Sequence, residues 1–337
     1  MNKINVGVIG LGRIGKIHIN NLVQLEGVSV QMATDPDPSA QQFATDLGVP
    51  NVGSAYQQIF DDPTIDAVII CSPTDTHFDC IEKAAAAGKH IFCEKPLDMT
   101  VEAIQKIQSI VEKAGVKLQV GFNRRFDVHF AKIRDLVAAG KVGETHILKI
   151  TSRDPGPPPI SYIERSGGLF LDMTIHDFDM ARFIVGSEVK EVYAIGKVRV
   201  DPAIGEAGDV DTAIVNLTFE DGTIATIDNS RKANYGYDQR LEIFGSKGMA
   251  QIENQKPDSH ILYDGDGAHQ PPLLDFFLER YRDAYQREMQ AFVTAIKEGK
   301  AVPVDGKDAL MATMIGLAAW RSVKENRPIS LAEITAT

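Results

Sequence analysis

Three side chains in this sequence have the type and setting for acid–base chemistry: Lys95, Asp172 and His176. Lys95 follows a short apolar run at 90–93 and precedes Pro96. An ammonium at the end of a buried strand is partly desolvated and can stabilise charge on a reacting oxygen. A lysine that merely reaches solvent from a loop is the commoner fate of this residue type. Asp172 and His176 lie four residues apart in GGLFLDMTIHDFDMARFIV. A helix over about 168–185 puts them on one face, one turn apart, in a stripe with Leu169, Met180 and Phe183. Two ionisable groups in an apolar stripe are costly unless they are paired or used. The carboxylate would orient the imidazole and raise its pKa, which suits His176 to accept a proton from an alcohol. A satisfied structural Asp–His pair fits the same spacing. A metal reading would add Asp177 and Asp179, but no further imidazole or thiol stands at ligand spacing, so no metal is expected.

These groups need a scaffold, and its clearest piece is VGVIGLGRIGKI at 6–17. An apolar strand-like run leads into Gly10, Gly12 and Gly15 in the G-x-G-x-x-G spacing. The first glycine allows a tight bend, the second brings backbone against a pyrophosphate, and the third lets a helix pack close to the strand. The turn Gly10, Gly12, Arg13, Ile14 would present helix N-terminal N–H groups to phosphates. Asp35 lies 20 residues past Gly15, at the end of a second apolar strand over 28–33. A carboxylate there accepts from ribose hydroxyls and repels a 2′-phosphate, which favours NAD over NADP. The plain alternative is an unliganded turn with a capping aspartate. Strand, glycines, helix, strand and acid standing in register favour the dinucleotide.

Strands and helices alternate up to residue 121, the pattern of a doubly wound parallel sheet. The expected strands are 65–71, 90–93 and 117–121, and the helices 39–48, 79–87 and 101–115. Asp35, Ser72, Pro73, Thr74, Lys95 and Asn123 then fall beyond strand C-terminal ends, where ligands of such sheets bind. After residue 122 the pattern changes. A helix over 127–139 precedes strands at 146–152, 191–199, 211–220, 223–229, 240–244 and 248–253, with Asp221-Gly222 as a hairpin turn. Strands without intervening helices imply a mostly antiparallel open sheet. Helices near 274–298 and 307–326 close the chain, and PGPPP at 155–159 reads as a stiff loop. The fold class is therefore α/β in two domains, 1–121 and 122–337.

A chain of 337 residues with net charge −11 and pI near 5.2 is ill suited to nucleic acid or an anionic membrane. Cys71, Cys80 and Cys93 are odd in number and lack ligand spacing, as expected of free thiols in a reducing compartment. No apolar run is long enough to span a bilayer, and no signal peptide is read, so a cytoplasmic protein is expected.

GVIGLGRIG, CSPTDTH, CEKPL, GFNRRFD, GGLFLDMTIHDFDMARF and YGYD occur in this order. Together they resemble the glucose–fructose oxidoreductase / inositol dehydrogenase family over essentially the whole chain. SRDPGPPPISY and GGLFLDMTIHD are most similar to its inositol 2-dehydrogenases. The resemblance implies a Rossmann domain followed by an α/β domain whose open sheet often builds homotetramers. It implies Lys95 as catalytic lysine before a Pro96 that is often cis, with Asp172 and His176 completing a triad. It also implies that Ser72, Pro73, Thr74, His77, Glu94 and Asn123 line the NAD, with Asn123 and Arg124 near nicotinamide or substrate. Asp154 and Tyr235 become candidates for substrate hydroxyls. Some inositol-acting relatives carry a carboxylate two residues after the triad aspartate, where this chain has Thr174. The implied activity is oxidation of a ring hydroxyl of myo- or scyllo-inositol with NAD, in an inter-domain cleft. A sugar dehydrogenase acting on a pyranose, or an NAD-binding sensor without catalysis, remains as an alternative.

Overall fold

The glycine turn joins a strand, β1 (Ile4–Ile9), directly to a helix, α1 (Arg13–Gln24), in the computed structural model, which describes residues 3–334. The alternation continues through β2 (Val28–Thr34), α2 (Pro38–Asp46), β3 (Asn51–Gly53), α3 (Gln57–Asp61), β4 (Ala67–Ile70), α4 (His77–Ala86), β5 (His90–Glu94), α5 (Val101–Ala114) and β6 (Leu118–Gly121). All six strands pair in parallel in the order β3-β2-β1-β4-β5-β6, the doubly wound arrangement expected. The edge strand β3 and the short α3 were not foreseen, because three and five residues are too few to show a hydrophobic period. Helices α2 and α5 start at side-chain caps: Asp37 accepts from the Ser39 N–H at 2.8 Å and Thr100 from the Ala103 N–H at 3.2 Å.

The remaining elements are α6 (Val128–Ala138), β7 (Thr145–Arg153), α7 (Ile160–Ser166), α8 (Gly168–Asp172), α9 (Ile175–Val185), β8 (Val189–Lys197), α10 (Pro202–Glu206), β9 (Thr212–Phe219), β10 (Ile224–Ser230), β11 (Asp238–Gly245) and β12 (Gly248–Ile252). A small hairpin of β13 (Leu262–Asp264) and β14 (Gly267–His269), the helices α11 (Phe277–Arg280), α12 (Arg282–Lys297) and α13 (Gly306–Glu325), and the edge strand β15 (Ile329–Ser330) follow. The second sheet has seven strands in the order β12-β11-β7-β10-β9-β8-β15. It is antiparallel except for β10 beside β7, so the expectation of a mostly antiparallel sheet holds. The Asp221-Gly222 turn closes the β9–β10 hairpin, with Gly222 at φ +90°. One face is covered. On β9, Ala213, Val215, Leu217 and Phe219 are buried while Ile214 and Asn216 between them are exposed.

Two expectations need correction. The chain divides into one unit through Phe126 with Asp283–Met311, and another of Asp127–Arg282 with residues 312–334. A single cut at 121/122 misses the return of 283–311. Its reason is packing: Met289, Phe292 and Val293 of α12 share one core with Val6, Val8, Leu11, Ile69 and Phe92. The Val120 N–H also donates to the Val304 carbonyl, at 3.1 Å. Nor is there one helix over 168–185. It breaks at Met173-Thr174, where both N–H groups donate to the Leu169 carbonyl, at 3.1 and 2.9 Å. The Thr174 hydroxyl is fully buried and donates to Asn229 Oδ1 at 2.8 Å, which pins the break. Asp172 therefore ends one helix and His176 lies in the first turn of the next. A smaller difference lies at 274–281, where only the short α11 precedes α12.

Candidate active site

In the first unit the dinucleotide residues stand where strand ends put them. The three glycines have three distinct reasons. Gly10 has φ +85°, and a Cβ there would lie 2.6 Å from the Ser72 nitrogen. A Cβ on Gly15 would lie 2.0 Å from the Gly10 carbonyl oxygen, so only glycine lets α1 pack this close to the turn. At Gly12 a Cβ would meet no heavy atom within 4 Å. The fold does not ask for glycine there, whereas a phosphate lying against the backbone does. Gly12 caps α1 without a side-chain bond, and no acidic residue stands in the first turn, so the helix N-terminus suits an anion. Arg13 is exposed and Ile14 half-buried there.

Asp35 follows β2 with one oxygen accepting from the Leu11 N–H at 2.6 Å and the other from the Asp37 N–H at 2.8 Å. Those bonds tie it to the glycine turn and leave lone pairs for ribose hydroxyls. Asn123, just past β6, is 2% exposed and its Nδ2 has no hydrogen-bond partner among the described residues. A buried amide donor in that state fits a ligand acceptor such as a carboxamide oxygen. Arg124 beside it is also buried. The donor set thus fits NAD: a backbone cradle, an acid for ribose and an amide past the last strand.

Ser72, Pro73 and Thr74 lie just past the end of β4. His77 lies deeper than the sequence suggested. It is 1% exposed, and its ring nitrogens lie 2.9 Å from the Ser72 carbonyl and 3.0 Å from the Pro96 carbonyl. It ties those two loops together, and burial pushes its pKa down against the pull of the two carbonyls. Glu94 also turns inward. One carboxylate oxygen lies 2.6 Å from His18 Nε2 and the other accepts from the Lys95 N–H at 3.3 Å. A Cβ on Gly121 would collide with that carboxyl at 2.8 Å, so glycine makes room for it. Lys95 is half-buried at the strand end, and the Lys95–Pro96 peptide is cis.

Beneath Lys95 the fold assembles a group the sequence reading missed. His18, Glu94 and Glu288 bring ligating atoms within 4.8 Å of one another. The 2.6 Å His18–Glu94 contact is a hydrogen bond. It is shorter than the roughly 3.3 Å between two ligands on one tetrahedral ion, so this pair is joined by a proton. Burial pushes the Glu288 carboxyl well above its ordinary range, and the nearby Glu94 charge adds to the effect. A signal was available: Glu288 stands in the stripe Tyr285, Met289, Phe292, a core position for a charged residue.

In the second unit Asp172 and His176 are half-buried on consecutive helices. The Tyr162 hydroxyl donates to one Asp172 oxygen at 2.9 Å, and Arg231 reaches the other at 3.4 Å. Asp177 accepts from Asn229 at 2.9 Å, so it helps to anchor α9. Asp154 belongs to the same neighbourhood. Its N–H donates to the Ser230 carbonyl at 2.9 Å and its carbonyl accepts from the Ala233 N–H at 2.7 Å. The Tyr235 hydroxyl donates to Asp238 at 2.6 Å and accepts from Arg153 at 2.9 Å. Asp154, Asp172 and Tyr235 therefore gather around the loop that follows β10. Thr174 does not join them, because it is buried beneath the helix break. Tyr162, Asp209 and Arg231 were not foreseen as site residues, since nothing local marks them.

The parallel sheet, its glycine turn and Asp35 define a dinucleotide-binding oxidoreductase carrying a second α/β domain. The chain matches the oxidoreductase family with an NAD-binding Rossmann fold over residues 4–122 and the GFO/IDH/MocA C-terminal domain over residues 130–251. It belongs to the GFO/IDH/MocA oxidoreductase family. It is 47% identical over 332 residues to a myo-inositol 2-dehydrogenase of Thermotoga maritima, covering 98% of this chain and 99% of that one. An inositol 2-dehydrogenase of Rhizobium meliloti is 46% identical over 331 residues, with 98% and 99% covered. The fold superposes with a TM-score of 0.92 on scyllo-inositol dehydrogenase from Lactobacillus casei, solved with NAD(H) and scyllo-inositol. That structure is 35% identical, with 98% of this chain and 100% of the other covered.

Proposed function

We propose that this chain oxidises a ring hydroxyl of myo- or scyllo-inositol to the inosose, using NAD. The observation that carries the reading is 47% identity to a myo-inositol 2-dehydrogenase along 98% of the chain, with Lys95, Asp172 and His176 all present. NAD would be held by the Gly10–Gly12 turn, Asp35 and Asn123, and when bound it takes up the hydrogen from the reacting carbon as hydride. His176 accepts the hydroxyl proton, and Asp172 orients its ring and stabilises the imidazolium. Lys95 stabilises negative charge growing on the same oxygen. Asp154, Arg124 and Tyr235 are the candidates for the other ring hydroxyls. The buried position of Thr174 leaves selection between stereoisomers to that set.

We also assign a homotetramer, built through the open face of the second sheet. Ile195 faces Ile214 and Phe244 faces Met249 across neighbouring strands, each 43–52% exposed. Exposed apolar pairs at two places on one sheet face favour association. No described helix is long and apolar enough to cross a membrane. The free thiols of Cys71, Cys80 and Cys93 suit a cytoplasmic protein.

The test is a panel of myo-inositol, scyllo-inositol, other inositols, glucose and galactose with NAD, followed by NADH absorbance. Highest kcat/KM for an inositol supports the reading. Preference for a pyranose replaces it with the sugar dehydrogenase, and no turnover with any polyol favours a sensor.

A further inference from the structure

We propose that Arg231, backed by Asp209, is a positioning residue for Asp172, fixing the carboxylate that orients His176. The inference rests on the roles given to Asp172 and His176 above.

Arg231 follows the last residue of β10, and its N–H donates to the Asp211 carbonyl at 2.9 Å. Its side chain is 1% exposed and heads the largest fully buried side chains of the molecule. A guanidinium keeps its charge at any working pH, so burying one demands carboxylates. Two face it. Nη1 donates to Asp172 Oδ2 at 3.4 Å, and Nη2 lies 3.7 Å from Asp209 Oδ2. Asp209 is itself 6% exposed, and its other oxygen accepts from the Leu169 N–H at 3.0 Å and the Val210 N–H at 2.8 Å. Leu169 is the second residue of the short helix that Asp172 ends. Asp209 thus holds the start of α8 and faces the cation that reaches its end.

The Asp172 carboxylate is gripped at both oxygens, by Tyr162 on one side and Arg231 on the other. Two contacts fix the plane of a carboxylate, where one leaves it free to swing. Fold stability gives no reason for this arrangement. Buried ion pairs are often replaced by apolar side chains at no loss, and burial already pushes the Asp209 carboxyl upward. A carboxylate that must be placed for its histidine does supply a reason, because a small displacement of a reacting group lowers the rate on the order of 10²-fold.

The test uses the full chain with NAD and the best inositol from the panel. Arg231→Met leaves Asp172 and Asp209 buried without their cation. It should lower the melting temperature and reduce kcat on the order of 10²-fold, with NAD affinity retained. Adding Asp209→Asn removes one buried charge, so the double variant should regain thermal stability but not kcat. Arg231→Lys should recover part of kcat. A double variant that regains kcat together with stability overturns the proposal, because Arg231 then serves only the fold. If Arg231→Met does not fold, the double variant and Arg231→Lys decide in the same way. Asp172→Asn, measured alongside, separates the two levels. Wild-type kcat in Asp172→Asn refutes the triad itself, whereas loss there with full activity in the double variant refutes only the role of Arg231.

Discussion

Glu288→Gln should make this protein more stable at neutral pH, although it removes a charged side chain from the core. Glu288 is fully buried, and neither carboxylate oxygen has a hydrogen-bond partner. An ionised carboxylate in that setting has no donor to replace water. The titratable groups around it are Glu94 and His18, with Cys71 also close enough to feel its charge. Burial first, and the Glu94 charge second, hold the proton on Glu288 well above the ordinary value of 4.5. The unfolded chain ionises near that ordinary value, so above it the folded state binds more protons. The contribution of this group to stability is full below about pH 4.5 and falls as pH rises toward the folded pKa. Its slope in that window is about 1.4 kcal/mol per pH unit. Glutamine has the shape of the neutral acid and no proton to keep. Urea unfolding of wild type and Glu288→Gln at pH 5, 6 and 7 isolates the term, because other groups cancel in the difference. The variant should gain on wild type with each step in pH, at about 1.4 kcal/mol per unit while the folded wild type keeps its proton. Glu288→Ala serves as the cavity control. A glutamine variant less stable than wild type at pH 7, with an unchanged pH dependence, would show that Glu288 is ionised and paired.

Three further outcomes concern the chemistry. Asp35→Ser should weaken NAD and relieve repulsion of NADP, read as the ratio of kcat/KM for the two cofactors; a wild type that already prefers NADP removes Asp35 from the ribose. Lys95→Met should keep the fold and NAD binding but lose on the order of 10² or more in kcat. Near-normal turnover in that variant removes the lysine from the mechanism and revives the sensor reading. His176 must be neutral to accept a proton, so kcat/KM for oxidation should rise with pH through its titration. Asp172→Asn should move that limb to lower pH, because the carboxylate that stabilises the imidazolium is then lost. An unchanged limb in His176→Ala assigns the proton to another group.

What could be read from the sequence was what is decided locally. The roles of Gly10, Gly12 and Gly15 belong to a few consecutive residues, and a parallel sheet sends the residues after each strand to one edge. The positions of Asp35, Ser72, Lys95 and Asn123 past strand ends therefore follow from the strands alone. The break between Asp172 and His176 was hidden because Thr174 meets Asn229, 55 residues away, and helix periodicity carries no sign of that bond. The return of α12 to the first unit was hidden for a related reason. Tyr285, Met289, Phe292 and Val293 announce an apolar face, but a face does not name its partner. Arg231 combines both difficulties. It becomes a buried cation only because β10 pairs in parallel with β7 and in antiparallel fashion with β9, a register that carries the loop after Ser230 to Asp211 and Asp154. A residue whose role comes from register rather than from its neighbours leaves no motif. A cation buried against a carboxylate by register is therefore less visible in a sequence than the carboxylate itself.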